Sequence, residues 1–247
     1  MTIIIPARMQ SKRLPGKPLL LVNGTPLIDR VFKQCIEADA GKVYVASDDE
    51  QILARVPIEN QILVTAPCSC GTDRVALAAH GLKLPDDEIV INIQGDMPFI
   101  PASLIKEFSE FMQHHDMGTA AIPSRAPLEN GFVSVVLDKY KFAIYFSRAQ
   151  IPAKNGREYY QHIGIYGYRV KVLKAFVSSK KSMLEQAESL EQLRAVENRI
   201  SPIAVMLTRT DPGPEINTPQ DIKNVPFFLA KMDKEKPQQN LFYESDR

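Results

Sequence analysis

Residues 88–98 read "EIVINIQGDMP", and the fold turns on them. The run from 88 to 94 is the most apolar in the chain and does not alternate, as expected of a central strand covered on both faces. It then gives way to glycine, aspartate and proline, a turn. Three shorter runs have the same character: "TIII" (2–5) before Pro6, "KVYVAS" (42–47) and "QILVT" (61–65). Helical patterns lie between them. "LIDRVFKQCIEA" (27–38) sets Leu27, Val31, Cys35 and Ala38 on one stripe and should start near Pro26. "RVALAAHGL" (74–82) reads as a helix ending at Gly81, and Asp48 or Asp49 is placed to cap the segment that follows it. Strands and helices in this alternation define an α/β chain with a mostly parallel sheet and right-handed crossovers.

From about residue 118 the texture changes. "GTAAIP", "FVSVVL", "FAIYFS" and "HIGIYGYRV" are short strands in quick succession, which predicts an antiparallel insertion or extra sheet. Residues 182–198 read as one helix, with Leu184, Ala187, Leu190 and Leu193 on its apolar stripe and Ser182 and Glu185 at capping-box spacing. The expected organisation is a single domain over 1–225, with the insertion at about 130–170, followed by a polar tail over 226–247.

Composition narrows the function. The chain has 247 residues, 45% hydrophobic and 24% charged, with a net charge of +1. That balance argues against a nucleic-acid binder working by phosphate neutralisation. No apolar stretch reaches the ~18 residues that cross a bilayer. No charged region precedes the first apolar residues, so a signal peptide is not expected. Cys35, Cys68 and Cys70 are an odd number without CxxC spacing or a histidine cluster, which argues against a disulfide framework or a zinc site and for a reducing compartment. The expectation is a cytoplasmic protein.

Ligands of parallel sheets lie at the carboxyl ends of the strands. Three segments follow strands here: 6–19, 66–74 and 94–98. The first, "PARMQSKRLPGKPL", carries Arg8, Lys12, Arg13 and Lys17, with Gly16 between two prolines. Guanidinium forks, an ammonium and a backbone that glycine lets approach closely suit a polyphosphate; the alternative is a solvated basic turn. It is neither a Walker A loop nor a GxGxxG fingerprint. The second, "CGTDR", offers Gly71, Thr72 and Arg74 at a helix start, to hold a base or a phosphate, or simply to cap the helix. The third ends on Gln94 and Asp96. A carboxylate at this edge facing a cationic loop suits magnesium, which joins one or two carboxylates to substrate phosphates; the alternatives are a cap or a salt bridge to Arg8 or Arg13. Farther on, "HIGIYGY" alternates His162, Gly164, Tyr166 and Tyr168 on one face, a ligand floor or, for His162 alone, a structural residue.

Taken together, "IIIPAR", "LPGKPL", "CGTDR", "NIQGDMP", "YFSRAQIP", "HIGIYGYR" and "LEQLR" come in the order found in the 3-deoxy-manno-octulosonate (Kdo) cytidylyltransferases, which the chain resembles over about 3–223. The resemblance implies a Rossmann-like sheet flanked by helices with a small antiparallel dimerisation sheet, and a homodimer. It implies transfer of CMP from CTP to Kdo with magnesium, giving CMP-Kdo and pyrophosphate for lipopolysaccharide assembly. It assigns Arg8, Arg13 and Lys17 to the triphosphate and Gly71, Thr72 and Arg74 to the nucleotide pocket. Gln94, Arg148, His162, Tyr166, Glu191 and Gln192 fall to the acid sugar, with Glu191 and Gln192 beside the apolar stripe of their helix. Arg13, Lys17 and Asp96 would carry catalysis, and Asp96 with Asn217 would hold magnesium.

The chain departs from the pattern at two positions. Met97 follows Asp96 where the family often has Glu or Gln, which is tolerable because that position need not coordinate anything. Asn217 stands where the family generally has an aspartate that binds magnesium. An amide oxygen brings no charge, so a weaker metal site with a higher magnesium requirement is expected. The readings that compete are a related acceptor (8-amino-Kdo or a sialic-type acid) and a non-catalytic nucleotide-binding homologue.

Overall fold

The computed structural model describes residues 1–11, 13–124, 132–152 and 158–235, with the side chains of 231–235 left aside. Lys12 and the last twelve residues of the expected tail lie outside the described residues.

Strand β1 (Thr2–Pro6) is buried along its whole length and is followed by a short two-stranded antiparallel sheet, β2 (Leu21–Val22) with β3 (Thr25–Pro26). Helix α1 (Leu27–Glu37) then leads to β4 (Lys42–Ser47). Asp49 caps the short α2 (Glu50–Leu53), its carboxylate accepting from the Gln51 and Ile52 amides. Next come β5 (Gln61–Leu63), α3 (Gly71–Gly81) and β6 (Ile89–Ile93). The second half supplies α4 (Ala102–Met112), β7 (Met117–Ser124), β8 (Ser134–Leu137), β9 (Ala143–Ser147), β10 (Tyr159–Arg169) and α5 (Val170–Ser178). It closes with α6 (Met183–Glu188), α7 (Leu193–Glu197), β11 (Ala204–Leu207) and α8 (Pro219–Glu235).

The main sheet runs β11-β7-β10-β6-β1-β4-β5. The apolar run that opened the sequence analysis, now β6, is its middle strand, parallel to β1 and wholly buried. Along this path only β10 is reversed, antiparallel to both β6 and β7. Alternate residues of each strand feed opposite faces. Ile3, Ile5, Ile91 and Ile93 pack with α1 and α4; Ile4 and Val90 pack with α3 and α5. Each such side chain contributes about 1.5–3 kcal/mol by leaving water, and both faces have helices to receive them.

Of the insertion or extra sheet expected after about residue 118, the structure has the antiparallel insertion: β8 and β9 extend from β10, itself part of the main sheet. Two features differ from the sequence reading. The expected helix over 182–198 is two helices. Its capping box of Ser182 and Glu185 forms, but Ser189 enters the left-handed region at φ 55 and ends α6. An ion pair spans this break. Arg194 reaches Glu185 with two hydrogen bonds of 2.8 and 2.6 Å, both side chains buried, and lies over the Phe176 ring. In one unbroken helix residues nine apart would stand about 13 Å from each other along the axis, so the chain must turn to close this pair. Finally, 226–235, assigned to a polar tail, continue α8.

Candidate active site

The carboxyl ends of β1, β6 and β11 lie on one edge of the sheet, because these strands run parallel. The loop after β1 turns at Gly16, whose φ of 69 is readily reached by glycine, and the turn delivers Lys17 to the start of a short 3-10 helix. There Lys17 Nζ donates to Asp96 Oδ2 at 2.8 Å and to Asn217 Oδ1 at 3.2 Å. Arg13 Nη2 donates to the same Asn217 oxygen at 3.2 Å. The cationic loop and the acid ending β6 therefore meet, and the salt bridge considered for Asp96 exists with Lys17 rather than with Arg8 or Arg13. Met97 turns into the core, 2% exposed, away from this cluster.

Sequence reasoning missed Glu215, on the loop between β11 and α8. Asn217 Nδ2 donates to Glu215 Oε2 at 3.1 Å. Its carboxyl is pushed up to about 7, first by the protein crowded around it and then by the Asp96 charge, with Asn217, Lys17 and Arg13 pulling the other way. The one available signal was its position two residues before Asn217. The strand that carries it to the site, β11, had not been read from the sequence.

Hard oxygen donors are therefore present for magnesium. Asp96 Oδ1 is buried with no hydrogen-bond partner, and Lys17 donates both to the other Asp96 oxygen and to Asn217 Oδ1. Among the described residues no group of three His, Cys, Asp or Glu side chains forms a cage for a metal. An ion that keeps few protein ligands and takes the rest from phosphate fits such a place.

Around the start of α3, a Cβ on Gly71 would lie 3.3 Å from Gln94 Oε1, so Gln94 rests on the helix N-terminus. Thr72, fully buried, donates to Glu191 Oε1 at 2.7 Å, while Glu191 Oε2 is buried without a partner. This bond ties the α3 loop to the segment between α6 and α7. Glu191 and Gln192 sit in that break and not on a helix flank as expected. Arg74 is nearly buried and engaged elsewhere, donating to the Val64 carbonyl at 3.2 Å and Asp48 at 2.9 Å. The exposed Arg8 lies on the loop after β1.

On β10, the His162 ring is 5.4 Å from that of Tyr166 and edge-on to Phe146. Its Nε2 lies 3.0 Å from Thr119 Oγ1, and desolvation pushes the imidazole down to about 3, so it stays neutral. Arg148 is exposed. Its guanidinium donates to the Glu188 and Ser189 carbonyls at the end of α6, and its backbone amide to the Glu188 carboxylate.

A cationic loop, an acid beside it and a second polar cluster thus share one sheet of an α/β fold. The chain belongs to the cytidylyltransferase family, whose model matches residues 2–202. A 3-deoxy-manno-octulosonate cytidylyltransferase of Hahella chejuensis is 41% identical, covering 93% of this chain and 98% of the relative. An 8-amino-3,8-dideoxy-manno-octulosonate cytidylyltransferase of Shewanella sp. (strain ANA-3) is 38% identical with the same coverage. The solved structure of a CMP:2-keto-3-deoxy-manno-octonic acid synthetase complexed with CTP superposes at a TM-score of 0.83, with 34% identity, over 94% of this chain and 98% of that one.

Proposed function

We propose that this enzyme transfers CMP from CTP to the anomeric hydroxyl of Kdo, releasing pyrophosphate and supplying CMP-Kdo for lipopolysaccharide biosynthesis. The observation that carries the reading is the meeting of Lys17 with Asp96 and Asn217 at the carboxyl edge of the sheet, with Arg13 beside them. The sugar hydroxyl attacks the α-phosphorus and pyrophosphate leaves. Negative charge grows on the phosphoryl and leaving oxygens, where an ammonium and a guanidinium stabilise it. Holding both substrates on one rigid sheet edge removes much of the remaining barrier. Magnesium, held by Asp96 and Asn217, would supply further positive charge at the triphosphate.

Gly71, Thr72 and Arg74, with Arg8, form the nucleotide side of the site. Gln94, Arg148, His162, Tyr166, Glu191 and Gln192 form the acceptor side, where the Arg148 guanidinium suits the sugar's carboxylate. The enzyme works in the cytoplasm as a homodimer. Exposed Phe132, Tyr140 and Ile144, on and beside β8 and β9, offer apolar surface for the second subunit, and among the described residues no helix is long and apolar enough to cross a membrane.

Pyrophosphate release with each of the four nucleoside triphosphates, with and without Kdo, tests the reading. Release only with CTP and Kdo is expected; release with another nucleotide, or none at saturating magnesium, overturns it. The 8-amino acceptor is a second reading, favoured by the Shewanella relative, and direct competition between the two sugars separates them.

A further inference from the structure

The protein has two carboxylates facing its phosphate loop, and only Asp96 has a role so far. Glu215 lies on the loop between β11 and α8, hydrogen-bonded to Asn217. Asn217 holds it through Oε2, and the other oxygen lies against Gly164, where a Cβ would stand 3.3 Å from Glu215 Oε1. Asn217 uses its two ends differently. Its oxygen accepts from Lys17 and Arg13, and its amide nitrogen donates to Glu215. The amide thus fixes the position of a charge it does not itself carry.

In this arrangement Lys17 pairs with Asp96, and Lys17 and Arg13 both donate to the Asn217 amide that holds Glu215. Resting on the proposed reaction, a triphosphate entering the cleft would draw those two cations to itself. Asp96 and Glu215 would then face each other and several phosphate oxygens without compensation, a repulsion that a divalent ion between them would relieve. We infer that Glu215 is the second anionic ligand of the magnesium site, and that Asn217 is a positioning residue for it. The higher magnesium requirement expected from Asn217 alone then does not follow, because the missing charge is supplied two residues earlier in the chain.

Manganese provides the probe, with free Mn²⁺ read by electron paramagnetic resonance in the presence of CTP. Glu215→Gln should weaken Mn²⁺ binding to the CTP complex tenfold or more. The same variant should bind CTP several-fold more tightly in EDTA, since one charge opposing the phosphates is gone. A structural role would weaken both. Adding Asn217→Asp to Glu215→Gln should restore most of the Mn²⁺ affinity by returning the carboxylate. Mn²⁺ affinity within twofold of the parent in Glu215→Gln, while Asp96→Asn loses it, would overturn the inference and leave the reaction standing. Equal losses of Mn²⁺ and metal-free CTP binding would also overturn it. If the parent itself takes up no Mn²⁺ with CTP, the metal-dependent transfer fails first and this inference with it.

Discussion

At the end proposed for the phosphates, Lys17 and Arg13 meet Asp96 and Asn217, Glu215 is held by Asn217, and Arg13 is open to solvent. At the end proposed for the acceptor, Tyr166 and Gln192 are buried and His162 is neutral, and Thr72 of the proposed nucleotide side donates to Glu191, tying the start of α3 to the turn between α6 and α7. The first end is a set of charges that balance one another until a ligand redistributes them. Arg13, being exposed, re-pairs cheaply, since exposed ion pairs contribute only about 0–1 kcal/mol each, whereas the mostly buried Lys17–Asp96 pair parts only when a ligand supplies compensating charge. The second end is organised by burial and by neutral hydrogen bonds, whose loss leaves unsatisfied atoms with no water to turn to. One end is built to change partners and the other to hold still.

The largest effect should come from removing a cation at the phosphate end. Lys17→Met should lower kcat about 100- to 1000-fold, the usual result of deleting one donor to developing oxyanion charge, with little change in urea stability. Steady-state kinetics beside equilibrium unfolding decide it; a stability loss that tracked the activity loss would place Lys17 in the scaffold instead.

A smaller effect is expected where the ends join. Thr72→Val leaves Glu191 Oε1 without its donor, a loss of about 1–3 kcal/mol. That appears as a 10- to 100-fold fall in kcat/KM for the sugar, larger than the accompanying loss of CTP affinity by calorimetry. Equal losses for both substrates would remove the distinction between the ends.

The smallest concerns His162. Its folded pKa of about 3 lies below the ordinary 6.5, so the unfolded chain takes a proton that the folded one refuses. The stability from keeping the ring neutral is complete above about 6.5 and is lost as pH falls toward about 3. Between pH 6.5 and about 5.5 the parent should lose about 1 kcal/mol more than His162→Gln in urea titrations. Parallel pH profiles would show that the ring titrates normally.

How legible the molecule was differs from one end of the cleft to the other. The loops of the phosphate end were readable because each follows an unmistakable strand: Lys17 after β1, Asp96 after β6. The break between α6 and α7 was hidden, because residues 182–198 satisfy helical periodicity throughout and the pairing of Glu185 with Arg194 that spans it leaves no mark on that periodicity. Glu215 was hidden for a related reason. It lies in an irregular loop, and its importance comes from β11 adding to the far edge of the sheet through β7.

The sequence by itself determined the parallel strands β1, β4, β5 and β6 and the charged loops that follow β1 and β6, because apolar periodicity and turn residues act between near neighbours. Only the tertiary structure decided which charges meet: that Asn217 joins Arg13 and Lys17 some two hundred residues away, that the same amide holds Glu215, and that Arg74 is taken up by Asp48. Coulombic and hydrogen-bonding partners are chosen by distance in space, and local periodicity carries no record of that distance.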